Sequence, residues 1–172
     1  MDDKRRMLQH FLAALAYRTQ KALRGAPASF ATFEAGTATR SPHEVVRHMT
    51  SVLGYARAFF IGGRYQSEPL PDLASDLARF HAMLGDLAQH LERGTPLRDN
   101  MTPEQLLQGP LADAMTHVGQ LAMLRRLAGT PVAPENFIVA DIRSDRLGPD
   151  QPPPASPDAD WPEAPPDWTP PR

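Results

Sequence analysis

A chain of 172 residues has room for one domain with a real core and too little for two comfortable ones. It contains no cysteine, which excludes a disulfide scaffold, a thiolate zinc site and a cysteine nucleophile, so any bound metal must be held by His, Asp or Glu. With 18 basic and 20 acidic residues the formal charge is only -2; there is no basic stripe, no aromatic RNA-binding signature and no apolar run near the ~20 residues of a membrane span, so neither nucleic acid nor membrane is an expected partner.

Met1-Asp2-Asp3-Lys4-Arg5-Arg6 leads into an amphipathic run rather than the apolar core of a signal peptide, which points to a cytoplasmic protein. That run, Lys4 to Leu23, places Met7, Leu8, Phe11, Leu12, Leu15 and Ala22 on one face at helical spacing and stops near Gly25 and Pro27. A second helix opens with Ser41 as N-cap, Pro42 in the first turn and Glu44 completing a capping box. It continues through Val45, Val46, Met49, Val52, Leu53, Ala56 and Phe60 to a stop at Gly62-Gly63. The third runs from about Pro71 to Arg93, with Leu73, Leu77, Phe80, Leu84, Leu87 and Leu91 three and four apart.

The fourth run begins at Thr102-Pro103-Glu104-Gln105, again a cap, a proline and a returning polar side chain. Gly109-Pro110 interrupts it, so a short helical turn is expected before the main helix, which runs from Pro110 to Gly129 with Arg125 and Arg126 near its carboxyl end. Glu135 to Ile142 reads as a short strand or an extended strip, with no second strand to pair with it. The expected architecture is all-α, a four-helix bundle over residues 1–142 followed by an extended Pro-rich tail, 143–172. From Pro149 onward the tail holds ten of the 19 prolines and five acidic residues against Arg172 alone, leaving about +2 on the rest of the chain. Such a segment builds no core of its own; it is either disordered or an arm that packs Trp161 and Trp168 on the body or a partner.

Asp113 and His117 stand four residues apart within the last helix, hence on one face about a turn apart, where both can point at a single atom. The spacing suits a shared metal ion and equally a hydrogen-bonded pair on a solvated face. On the second helix His48 follows Val45 by three and precedes Val52 by four, which puts its imidazole on the apolar stripe. It is either a core histidine hydrogen-bonded to a neighbour or a third ligand facing Asp113 and His117 across the bundle. Gln120, one turn beyond His117, is positioned to orient a ligand or to face solvent. Thr116, Glu34 and Arg40 are further polar neighbours. His43 reads as a surface residue, His81 as partly buried, and His10 and His90 as solvent-facing.

Ser41-Pro42-His43-Glu44-Val45-Val46-Arg47-His48-Met49 and Asp113-Ala114-Met115-Thr116-His117-Val118-Gly119-Gln120-Leu121 resemble two helices of the DinB-like superfamily, the YfiT-type metal-binding four-helix bundles. The second segment is similar to the family's His-x-x-x-His-x-Gly-Gln, and the resemblance covers roughly residues 1 to 142. By position it implies ligand roles for His48 and His117 toward a divalent ion, usually zinc or nickel, and a homodimeric assembly. Asp113 stands where the resemblance would place another histidine. A carboxylate there still serves zinc and shifts preference toward harder ions such as manganese or iron. Relatives include transferases and isomerases that use small thiols such as mycothiol or bacillithiol. Two functions follow as expectations: a metal-dependent enzyme acting on a small-molecule substrate with a low-molecular-weight thiol, its ligands His48, Asp113 and His117; or a non-catalytic binding or assembly module with a degenerate metal site. A DNA-repair role has no support in charge or motif.

Overall fold

The structure is a computed structural model that describes residues 2–155 and 164. Every described regular element is helical: α1 (Asp3–Leu23), α2 (Pro42–Ile61), α3 (Leu73–Glu92), α4 (Pro103–Leu106) and α5 (Ala112–Leu127). No described helix is long and apolar enough to cross a membrane.

The helix starts are set by local hydrogen bonds that satisfy otherwise orphaned N–H groups. Asp2 accepts from the Arg5 N–H ahead of α1, and Asp72 accepts from the Ser75 N–H ahead of α3. Ser41 and Glu44 form the full capping box of α2, as Thr102 and Gln105 do for α4. Gly62 ends α2 with φ at +80°, a left-handed value that side chains disfavour.

Cross-helix contacts fix the topology. Arg5 reaches the Thr95 carbonyl while Gln20 meets His81, so α1 runs antiparallel to α3. Lys4 pairs with Glu104 and Arg125 reaches the Ala22 carbonyl, so α1 runs parallel to the α4–α5 rod. His43 pairs with Asp76 and Arg57 with Asp86, which makes α2 and α3 parallel. The order is therefore up, down, down, up, and α2 and α3 need a connection that returns along the bundle. A 20-residue helix is about 30 Å long, and residues 62–72 reach about 36–40 Å only when nearly straight. The crossover is accordingly extended and lies on α2: the Ser67 N–H donates to Ser51 Oγ at 3.0 Å, and a Cβ at Gly54 would fall inside the Tyr65 ring.

Inside, Leu12, Leu15 and Ala16 of α1 meet Val45, Val46, Met49 and Leu53 of α2, Phe80, Leu84 and Leu87 of α3, and Ala114 and Leu121 of α5, all buried. Each such Leu, Val or Phe stabilises the fold by about 1.5–3 kcal/mol.

One expectation from sequence requires correction. Gly109-Pro110 does not separate a short turn from the main helix: Leu107–Leu111 forms a π-helical turn that joins α4 to α5 without a break. Proline lacks an N–H and its ring clashes with a carbonyl one α-turn back, and the wider π turn makes room for it. Of the two readings of Glu135 to Ile142, the strip is the one seen: Phe137–Val139 is a 3-10 turn in an otherwise irregular segment. Within it the Val139 and Ala140 amides donate to the carbonyls of Asn136 and Phe137, and the Ile138 amide donates to the Asn136 side chain.

The chain after residue 142 does not leave the body at once. His81 donates from Nδ1 to the Leu147 carbonyl at 2.7 Å, Arg24 donates to the carbonyls of Gln151 and Pro152, and the Ala155 N–H donates to Glu135. Trp161 and Trp168 lie outside the described residues.

Candidate metal centre

His48 sits on α2 and Asp113 and His117 on α5, and the antiparallel packing of these helices brings the three together. Each offers a ligand atom, and these atoms all lie within 4.8 Å of one another. The two imidazoles meet edge to face with ring centroids 4.6 Å apart. His117 Nε2 lies 3.4 Å from Asp113 Oδ1. His117 is buried, His48 half-buried and Asp113 exposed, so the cluster lies at the wall of the bundle and opens outward.

Gln120 sets the chemistry of His117. Its Oε1 lies 2.7 Å from Nδ1, and a carbonyl oxygen only accepts, so the ring proton is on Nδ1. The Nε2 lone pair is thereby left for the space shared with Asp113 and His48. This is how outer partners commonly fix the tautomer of a metal-binding imidazole. His48 is also held in the form a metal needs. Burial is the main cause of its lowered pKa, the charge of Arg40 and the neighbouring His117 add to it, and Asp113 opposes them. Around a four-coordinate zinc with bonds of about 2.0–2.1 Å, ligand atoms sit roughly 3.3 Å apart, so closure requires only a small contraction. The group can hold a metal ion.

No protein-family model, curated protein or solved structure matches this chain. The chemistry of the cluster therefore rests on its own geometry. Beside it opens a cleft of about 680 Å³ whose walls include His48, Val52 and Tyr55 from α2 and Asp113 and Thr116 from α5. The π turn contributes Gln108, Gly109 and Pro110 to the same wall, so the irregularity that accommodates the proline also shapes the cleft. Two protein imidazoles and one half-exposed carboxylate leave coordination positions toward this space, the arrangement of a site that accepts water or a small molecule.

The other polar residues divide around this centre. Thr116 Oγ1 donates back to the Ala112 carbonyl and lines the cleft, whereas Arg40 and Gln120 line a separate groove on the far side of His117. Glu34 is exposed on the segment before α2 and does not line the cleft. His43 is not the surface residue expected from sequence. Its Nε2 lies 2.6 Å from Oδ2 of Asp76, whose side chain is fully buried and also holds Arg79. The signal was present, since Asp76 falls between Leu73 and Phe80 on the apolar stripe of α3. His90 likewise turns inward, its ring stacked on Phe60 with centroids 5.3 Å apart, while His10 is exposed.

Arg125 was legible only as a cation near a helix end. It is 4% exposed, and its guanidinium donates to the carbonyls of Ala22, Arg24 and Thr130. It thus ties the end of α1 to the end of α5. Its spacing of seven from Val118 and four from Leu121 was the clue to an inward position.

Proposed function

We propose that the protein is a metal-dependent enzyme of the DinB-like type, with His48, Asp113 and His117 as the ligands of one divalent ion. One observation carries the reading: three ligand-bearing side chains from two helices converge within 4.8 Å, and Gln120 leaves the His117 Nε2 lone pair facing them. A bound ion would act as a Lewis acid that lowers the pKa of a coordinated water or thiol. The protein's own part is binding and orientation. Gln120 keeps the proton on Nδ1, the lowered pKa of His48 keeps it neutral at physiological pH, and Asp113 supplies a negative charge beside both imidazoles. The cleft supports a small-molecule substrate, with Tyr55 and Val52 offering apolar contact on the α2 side. Because the chain has no cysteine, a thiol nucleophile would be delivered by a low-molecular-weight thiol, and the reaction class proposed is thiol transfer or isomerisation.

The ligand set narrows the choice of ion. Two imidazoles favour zinc or nickel, and the carboxylate admits manganese or iron. The protein is purified without chelator and its metal content measured, alongside the melting temperature with added zinc, nickel and manganese. One ion per chain and a rise in melting temperature that His48→Ala and Asp113→Ala abolish are expected. Metal content below about 0.1 ion per chain with no thermal response overturns the proposal.

A second reading, a non-catalytic binding or assembly module, is favoured by the 3.4 Å approach of Asp113 to His117, which forms an ion pair when His117 is protonated. It predicts no metal response and a thermal stability that depends on the docked segment through Ala155.

A further inference from the structure

On the side of α5 away from the metal centre, a pocket of about 280 Å³ lies between α1 and α5 under the strip 132–137. Its position follows from residue size. Gly119 on α5 carries no side chain, and a Cβ built there meets nothing within 4 Å. Ala122 is small, and Phe137 forms an aromatic wall. Arg18, Lys21 and Arg126 bring three positive charges to it, and Glu135 one negative charge.

These charges are not equivalent. Glu135 has a fully buried side chain and is already compensated: Oε1 accepts from the Tyr17 hydroxyl and the Ala155 N–H, while Oε2 lies 3.6 Å from Lys21 Nζ. Lys21 in turn donates to the Ala133 carbonyl at 2.5 Å. Arg18 differs from both. Its guanidinium carbon lies over the Phe137 ring, 4.0 Å from the centroid, yet its N–H groups have no hydrogen-bond acceptor among the described residues. A ring contact of this kind uses none of the N–H donors of an arginine, and two parallel N–H groups match the two oxygens of a carboxylate.

We propose that this pocket binds a small organic carboxylate, its two oxygens on the guanidinium edge of Arg18 and its apolar body against Phe137, Ala122 and Gly119. The volume suits a small metabolite and is below the span of about 300–1,000 Å³ usual for larger ligands. An inorganic anion satisfies Arg18 and leaves the apolar wall unused, which separates this site from a general basic patch.

The probe is benzoate, titrated into the full chain at constant ionic strength and followed calorimetrically, with inorganic phosphate and chloride as comparison anions. Saturable benzoate binding is expected, at least roughly tenfold tighter than phosphate. Arg18→Gln is expected to weaken it by roughly tenfold or more. Gly119→Leu fills the pocket from a helical position with open space beside it, keeps every charge, and is expected to abolish binding while leaving the melting temperature unchanged or raised. Absence of saturable benzoate binding, equal responses to benzoate, phosphate and chloride, or benzoate binding that survives Gly119→Leu overturns the proposal. Metal content is measured on the same samples; because the pocket shares no residue with the metal cluster, either site can fail without the other.

Discussion

Gln120 accepts the Nδ1 proton of His117 at 2.7 Å while Nε2 of the same ring faces Asp113 at 3.4 Å. A side chain that the sequence places either to orient a ligand or to face solvent thus determines which nitrogen of the imidazole is basic. For a site proposed to bind metal, this contact is the most direct to test. Gln120→Ala is expected to reduce metal affinity by about 10–100-fold, the usual cost of removing such an orienting partner. Gln120 is exposed, so the apo melting temperature should change little. Competition with a calibrated chelator measures the first quantity and thermal denaturation the second.

Asp113→His is expected to raise affinity for zinc and nickel relative to manganese, since it replaces a hard oxygen donor with a borderline nitrogen. Comparing the three ions by chelator competition on the two proteins checks this, and an unchanged order of affinities counts against Asp113 as a ligand.

The buried Arg125 makes a strong stability prediction. Arg125→Met removes donors to the Ala22, Arg24 and Thr130 carbonyls and uncouples the ends of α1 and α5. A loss of roughly 2–4 kcal/mol is expected, from charged hydrogen bonds and carbonyls left unpaired. Arg126→Met, at the exposed neighbouring position, should cost less than about 1 kcal/mol. Urea denaturation of the two variants reads the difference.

Gly54→Ala should destabilise by about 1–3 kcal/mol although alanine is the better helix former, because its methyl group collides with the Tyr65 ring. Tyr65→Ala in the same chain is expected to restore part of the loss. A double-mutant cycle that shows no coupling between the two positions contradicts the close approach of the crossover to α2.

His81 predicts a pH dependence. Its Nδ1 donates to the Leu147 carbonyl, its Nε2 accepts from the Gln20 amide at 3.0 Å, and burial pushes its pKa below the ordinary 6.5. A depressed histidine pKa means that the unfolded chain binds protons first. The contribution is therefore complete above pH 6.5 and is lost as pH falls through the lower folded-state value. His48 acts in the same direction. Unfolding free energy measured in urea should fall from pH 8 to pH 5, and His81→Gln should flatten that slope.

Truncation after Ile142 removes Leu147, which packs against the core, and the carbonyls held by Arg24 and His81. The expected cost is about 2–3 kcal/mol, dominated by the exposed leucine contact and the unpaired His81. An unchanged melting temperature would show that the segment contributes nothing to the fold.

Local chemistry made much of this protein legible from its residues. Ser41 with Glu44, and Thr102 with Gln105, mark helix starts because cap hydrogen bonds are made within four residues of chain. The spacing of four between Asp113 and His117 places them on one face whatever surrounds the helix, and His48 belongs to the apolar stripe of α2 by periodicity alone. What periodicity cannot determine is which helix faces which. The parallel course of α2 and α3, the extended crossover over Gly54, and the meeting of His48 with His117 all follow from packing between segments far apart in sequence. The same holds for the buried polar residues. Asp76 and Arg125 fall on apolar stripes by spacing, but the partners that make burial of a charge tolerable, His43 for Asp76, the α1 carbonyls for Arg125 and Tyr17 for Glu135, are brought to them only by the fold. A buried charge is tolerated only where partners converge, and that convergence is a property of tertiary structure. The sequence alone therefore specified the helices and the face that carries the candidate ligands; the packing of α2 against α5 decided that those ligands share one space.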